Sequence, residues 1–424
     1  GGFTLKSPAT CKRIKNLTWR SRMKKWLSVA AVVVLCLSLV IGAACGGGKT
    51  GEEGVKELKF GFGLPLSVLV GAVVGLPARD ALNMANEEMG VFEVGGQKYR
   101  WKLFFEDNKF NSAGGVASAT KLIFEDHVDF MFQLGADATM AAYPYCHERK
   151  VILDGSGLPA TMLGPDKPYL FQTNGTWDYY WPNFFDWVSR EHPELHKVVC
   201  VSSDDLMGHG VLDPINKNCD YYGLDYTNIW IPPTGITPEW YPIVTKVMSH
   251  DPDIVYISQQ AYDAMWEMGY KGIFFETDFE EELWGEPNWD KAAGHVYLTG
   301  LAAQGPWPEV KAFRERYKER YGLTLMTYAA GIPMSLWAWT AILQEAGTAD
   351  FENDLDKIME TAETAVVDCP YGQFMYTGEV INGIGHCGTV ESTLNVVSGP
   401  RQYELIRLLT VEENAAMTHK IYSR

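Results

Sequence analysis

The residues of this 424-residue chain that could carry chemistry are few and scattered. Ser156 stands in a tight Gly155-Ser156-Gly157 turn, as a nucleophile would, but the G-x-S-x-G spacing that presents such a serine is missing. The segment "GFGLPL" at 61 to 66 starts like a dinucleotide turn and lacks its final glycine. His192 and His196 are four apart in "HPELH", a metal-ligand spacing on a helix, yet Pro193 breaks that helix. Past residue 45 the cysteines are Cys146, Cys200, Cys219, Cys369 and Cys387, with no C-x-x-C pair and no zinc spacing. Neither catalysis, a metal nor a cofactor is expected. Cys369 and Cys387 flank a Gly-rich segment; outside the cytoplasm they could close a short loop as a disulfide or stay as two thiols.

Export is expected from the front of the chain. Met23-Lys24-Lys25 precedes a fifteen-residue apolar run at 27 to 41 that ends in small residues before Cys45, the pattern of a cleaved secretory signal. An uncleaved anchor is the alternative, and translation is expected to start at Met23. Cleavage before Cys45 removes eight basic residues and no acids, leaving 28 Lys and Arg against 53 Asp and Glu, a net charge near −25. Such a surface repels nucleic acid and anionic membrane.

The elements that must position any site follow from periodicity. Strand-like runs at 58 to 64, 197 to 203, 225 to 231, 253 to 259 and 295 to 302 alternate with helix-length segments, and Pro77 suits the first turn of a helix ending at Gly90. Strands joined by helical crossovers run parallel, with helices on both faces, so the class is α/β, a doubly wound parallel sheet built twice. After about residue 306 helices dominate; the most apolar of them carries Trp337 and Trp339, expected in the core. A Gly/Glu-rich linker fills 46 to 57, and "STLNVVSG" with "YELIRLLT" reads as a β pair.

Open α/β sheets bind ligands outside the carboxyl ends of their strands, where helix N-termini offer free N–H groups. That selects the turns holding Ser67 (64 to 69), Asp137, Ala138 and Thr139 (135 to 139), Ser156 and Gly157 (155 to 158), Met207 (204 to 208), and Gln259, Gln260 and Tyr262 (258 to 262). Trp177, Tyr179 and Tyr180 with Met207 and Tyr262 suggest an apolar or aromatic pocket, against ordinary packing in an aromatic-rich chain. Asp137 either caps its helix or meets a ligand.

In order along the chain, "GFGLPLSVLVG", "FQLGADATMAAYPYCHERKVILDGSG", "PYLFQTNG", "VSSDDLMGHG", "DPDIVYIS" and "CPYGQF…NGIGHCGT" resemble the leucine/isoleucine/valine-binding family of periplasmic substrate-binding proteins, over essentially all of 57 to 400. The resemblance implies two lobes joined by three crossings, near Thr173-Asn174, Gln304-Gly305 and Cys369-Pro370. The implied organisation is 1–44 upstream extension and signal, 45–56 linker, 57–173 plus 306–368 lobe I, 174–303 plus 369–410 lobe II, and 411–424 a C-terminal extension. It also implies cleft closure on a small organic ligand, delivery to an ABC permease, and Cys45 as a lipid-bearing membrane anchor, although Gly42 departs from the lipoprotein pattern. A receptor module signalling through a partner and a hydrolase are the alternatives.

Residue by residue, the resemblance puts a carboxylate-binding hydroxyl turn on Ala136-Asp137-Ala138-Thr139, where Thr139 and backbone amides keep that chemistry. Met207 replaces the tyrosine, and Thr237 the acid, that would hold a ligand ammonium. An unpaired buried charge costs several kcal/mol. The expected ligand is therefore amphipathic, amino-acid-like or an aromatic or aliphatic carboxylate, rather than a plain branched-chain amino acid.

Overall fold

The computed structural model describes residues 54–232, 238–277, 279, 286–300 and 305–423; Cys45, the signal segment and Thr237 lie outside them. Lys56–Arg424 form one compact unit. The first sheet has the order β2-β3-β1-β4-β5-β6, from β1 (Val55–Leu64), β2 (Phe92–Val94), β3 (Gln97–Asp107), β4 (Phe130–Leu134), β5 (Ile152–Ser156) and β6 (Leu170–Phe171). β1, β4, β5 and β6 are parallel and β2 folds back on β3. The second sheet reads β16-β15-β11-β10-β9-β7-β8, from β7 (Lys197–Ser203), β8 (Asp225–Ile231), β9 (Ile254–Tyr256), β10 (Ile273–Glu276), β11 (Val296–Gly300), β15 (Ser392–Gly399) and β16 (Gln402–Leu409). Its first five strands are parallel and the last two antiparallel. β12 (Val366–Cys369), β13 (Gly372–Thr377) and β14 (Cys387–Val390) make a third, antiparallel sheet.

Helices of nine residues or more are α1 (Leu76–Met89), α2 (Ser112–Thr120), α3 (Ala136–Arg149), α4 (Trp177–Glu191), α5 (Leu206–Tyr222), α6 (Trp240–Met248), α7 (Pro308–Tyr321), α8 (Met334–Ala346), α9 (Leu355–Thr364) and α10 (Val411–Tyr422). Pro77 sits in the first turn of α1, where a missing N–H costs nothing. Each sheet is covered on both faces. α1, α7, α8 and α9 pack on one side of the first sheet, with Trp339 at 0 % exposure and Trp337 against the same core, and α2 and α3 pack on the other. In the second, α6 covers one face and α4 with α5 the other.

The chain leaves the first sheet after Phe171 and returns between Gly300 and Trp307. The third crossing differs from the expected Cys369-Pro370. Val367, Phe374, Tyr376 and Val390 all pack into the first sheet's core, so the chain crosses at Glu391, between β14 and β15. Local alternation marks these strands but does not say which core receives them. Cys369 and Cys387 are free thiols, not a disulfide. β13 lies between their strands, and they face opposite ends of it, Gly372 and Thr377. Residues 411–424, expected only as an extension, are largely the helix α10.

The first crossing is anchored by Asp154, fully buried on β5, whose Oδ1 accepts from Thr173 N at 2.8 Å. Burial pushes this carboxyl up to about 7, and the nearby Ser335 and Thr173 side chains only partly oppose it. An unfolded Asp releases its proton near pH ~4, so between about 4 and 7 the folded state holds the extra proton. Stability conferred by Asp154 is thus fully present below about pH 4 and falls as pH rises to about 7. Urea midpoints measured at pH 4.5 and 7.5 should converge in Asp154→Asn relative to wild type.

Candidate functional site

The carboxyl ends of the first sheet are organised by polar residues just past each strand. Asp107, at the end of β3, accepts from Leu66 N (2.9 Å), Ser67 Oγ (2.5 Å) and Lys109 N (3.1 Å). Partial burial works against its charge, but these donors outweigh it and hold the carboxyl below its usual range. Ser67 is therefore bound to Asp107, and the loop it belongs to is pinned. Beside it, fully buried Asn108 shares the two hydrogens of its Nδ2 among Gly63 O, Leu134 O and Gln133 Oε1, all within 2.9 Å, tying β1 to β4. Asp107 and Asn108 were missed from sequence; their signal is the "EDN" at the end of an otherwise alternating strand.

The turn after β4 needs Gly135, at φ 100°, because a Cβ there would lie 2.8 Å from the Phe110 ring. Helix α3 starts at once, with Gly135 as its cap and no side-chain cap bond. Its phase decides what each residue can do. Ala138 is buried against Gly115, and Thr139 is 0 % exposed, its one hydroxyl proton shared between Gly135 O (2.8 Å) and Gln133 O (3.1 Å). Thr139 thus spends its donor on the main chain rather than on a ligand. Asp137 is exposed at the second position of the helix and does not cap it. What this turn offers is the N–H groups of the first helical turn.

After β5, four residues converge. Ser156 Oγ lies 2.9 Å from Tyr328 OH and 3.4 Å from Asn174 Nδ2, and Gly157, at φ 80°, leaves room beside Tyr328. Asn174 Oδ1 is buried without a hydrogen bond. Gln172 sets this turn: its Oε1 accepts from Leu158 N (2.8 Å) and its Nε2 donates to Leu158 O (3.2 Å). Tyr328 comes from a short helix, Thr327–Gly331, more than 150 residues away, which no local pattern could have joined to Ser156.

In the second sheet, Asp205 caps α5 by accepting from Gly208 N (2.9 Å) and Ser203 Oγ (2.8 Å), which leaves Met207 half-buried in the first turn. Its neighbour Leu206 packs on the first sheet's core, and a Cβ on Gly210 would meet Pro159 at 2.8 Å, so the two edges touch here. After β9, Gln260 is exposed and Gln259 buried. Tyr262 is core, contrary to expectation: it is 2 % exposed and stacked on Phe274 at 4.0 Å. Trp177, the first residue of α4, is partly buried on the Trp181 and Phe184 core. Asp137, Gly157, Met207 and Gln260 remain as edge residues with some exposure, Ser156 is buried at the end of β5, and the half-buried Asn174 and Tyr328 are added. A shallow hollow lined by Phe124, His127, Arg149 and Val151 lies at the opposite, amino ends of β4 and β5. Among the described residues no cluster suits a metal, and no helix is long and apolar enough to cross a membrane.

Two parallel-sheet lobes whose polar turns meet across chain crossings define a two-lobe binding module. The chain belongs to the Periplasmic binding protein family, whose model matches residues 57–386. Its fold is that of a leucine-binding protein, LivK, from Thermotoga maritima (TM-score 0.66, 16 % identity, 84 % of this chain and 99 % of that one). It is likewise that of a Rhodopseudomonas palustris ABC transporter solute-binding protein solved with 3,4-dihydroxybenzoic acid (0.68, 17 %, 84 % and 98 %). A Brucella ovis leucine-, isoleucine-, valine-, threonine- and alanine-binding protein in its closed conformation is equally similar (0.68, 16 %, 85 % and 96 %). A sequence search of curated proteins returns no match. The chain has the substrate-binding role of its family, whose members bind rather than catalyse.

Two substitutions separate the roles within the α3 turn. Asp137→Asn should leave the urea midpoint unchanged, since the side chain is exposed and caps nothing. Thr139→Val should cost about 1 kcal/mol by the same measurement, because a buried carbonyl loses its donor.

Proposed function

We propose that this protein is the extracytoplasmic solute-binding component of an ABC importer, closing on one small amphipathic carboxylate held between its lobes. The observation that carries this reading is the group formed by Ser156, Gly157, Asn174 and Tyr328 beside the free amides of Ala136 to Ala138. Hydroxyl, amide and main-chain N–H donors at a helix start suit a carboxylate without a buried cation. Support for the ligand class comes from related folds described with 3,4-dihydroxybenzoic acid and with leucine. Met207, in the first turn of α5, offers apolar contact and no partner for an ammonium, which favours aromatic or aliphatic acids over leucine.

The lobe division that best fits the packing is 57–173 with 306–390 for the first and 174–303 with 391–410 for the second. Export by the apolar run at 27 to 41 and lipid attachment at Cys45 complete the proposal, placing the protein at the outer face of the cytoplasmic membrane.

A thermal-shift panel of benzoate, 3,4-dihydroxybenzoate, 3-methylbutanoate and leucine tests it. An acid present at a hundred times its dissociation constant should stabilise the fold by about 2.7 kcal/mol, and Ser156→Ala combined with Tyr328→Phe should weaken that acid about tenfold in calorimetry. No shift with any acid, together with turnover of a carboxylic ester, would mean that the transport reading is wrong.

A further inference from the structure

The helix α10 lies beyond the part of the chain matched by the family and packs on both lobes at once. On one side it meets β13 and β14, which belong to the first sheet's core; on the other it meets α4 and α5, which cover the second. Its start is fixed by a capping box, Thr410 Oγ1 accepting from Glu413 N while Glu413 Oε2 accepts from Thr410 N. Val411, Asn414, Thr418 and Ile421 form one buried stripe at helical spacing, each at most 1 % exposed.

Two of these four are polar, and each is bonded to main chain beside a different crossing. Asn414 Nδ2 donates to Val390 O at 3.1 Å, one residue before the chain crosses at Glu391. Thr418 Oγ1 donates to Asp178 O at 3.4 Å, in the first turn of α4 just past the first crossing. At the far end Tyr422 OH donates to the buried Asp178 Oδ1 at 2.5 Å, and Lys217 of α5 lies over the Tyr422 ring at 5.9 Å. A helix that merely covered apolar surface would bury leucines in this stripe. Buried amide and hydroxyl groups, each donating to one specific carbonyl, fix position instead.

The approaches to the crossings that α10 bridges are themselves paired. Gln172 N donates to His386 O (3.0 Å) and Gly388 N to Gln172 O (2.7 Å), so the segments that lead into the first and third crossings run side by side at the base of the hinge. We infer that α10 is a strap across this hinge, holding the lobe arrangement through Asn414 and Thr418 and so limiting how freely the lobes swing apart. The strap acts whichever ligand the cleft accepts.

Hydrogen–deuterium exchange on the ligand-free, full-length protein tests it. Thr418→Val and Asn414→Ala should each speed exchange about fivefold in peptides spanning 170–176 and 386–391, with β4 and β7 peptides unchanged. Should Asn414→Ala fail to fold, Tyr422→Phe serves beside Thr418→Val, with the same expectation. Unchanged exchange at the hinge would overturn the proposal, and so would an equal rise in β4 and β7, which would mean a general loss of stability. Because no ligand is present, a negative result here leaves the carboxylate reading untouched.

Discussion

Gln172 is the residue on which the two halves of this molecule depend. It is 1 % exposed, and it has used its backbone and side chain on three different segments. Its main chain pairs the end of the first sheet with the start of β14, the segments that lead into the first and third crossings, and its side-chain amide grips both backbone groups of Leu158, directly after the Ser156-Gly157 turn. The same amide also donates to Gly175 O. Movement of the hinge and the shape of the edge that would meet a ligand are therefore mechanically linked through one buried side chain. In an apolar surrounding each of those bonds is costly to leave unmade, which makes the link stiff.

The polar residues around that point explain how a hinge can be buried and still be well defined. Thr173, the next residue, is held by Asp154 through its N–H, and its hydroxyl lies 2.6 Å from Tyr376 OH on β13. On the other side of Phe171, His386 stacks at 3.7 Å and lies 2.9 Å from Leu170 O and 2.8 Å from Glu363 Oε1. Three consecutive residues, 171 to 173, are thus each fixed by a specific partner from the returning chain or from β5. Apolar packing alone would tolerate several arrangements of similar energy; a satisfied polar network selects one.

Much of the architecture was legible because hydrophobic period and length constrain it. β7 and β8 begin and end where their apolar runs do, and the β pair near the C-terminus forms β15 and β16. The allegiance of Phe374 and Tyr376 was not legible, since strand alternation looks the same in either lobe, and this displaced the third crossing to Glu391. The site was half legible for a related reason. The rule that ligands gather at strand ends located the turns, but the phase of each following helix decides which side chain reaches the cleft, and that put Thr139 and Tyr262 inside. Tyr328 and Asn174 join Ser156 only through tertiary folding.

The central claim is that a small acid binds where the two carboxyl edges meet, bounded by Ser156 and Tyr328 on one lobe and the start of α5 on the other. A crystal structure of the protein grown with whichever acid stabilises it most addresses that claim directly. The account predicts one molecule between the lobes, its carboxylate within hydrogen-bond distance of Ser156 or the amides of Ala136 to Ala138. Density for the acid in the hollow beside His127 and Arg149, with the space between the edges empty, would contradict it.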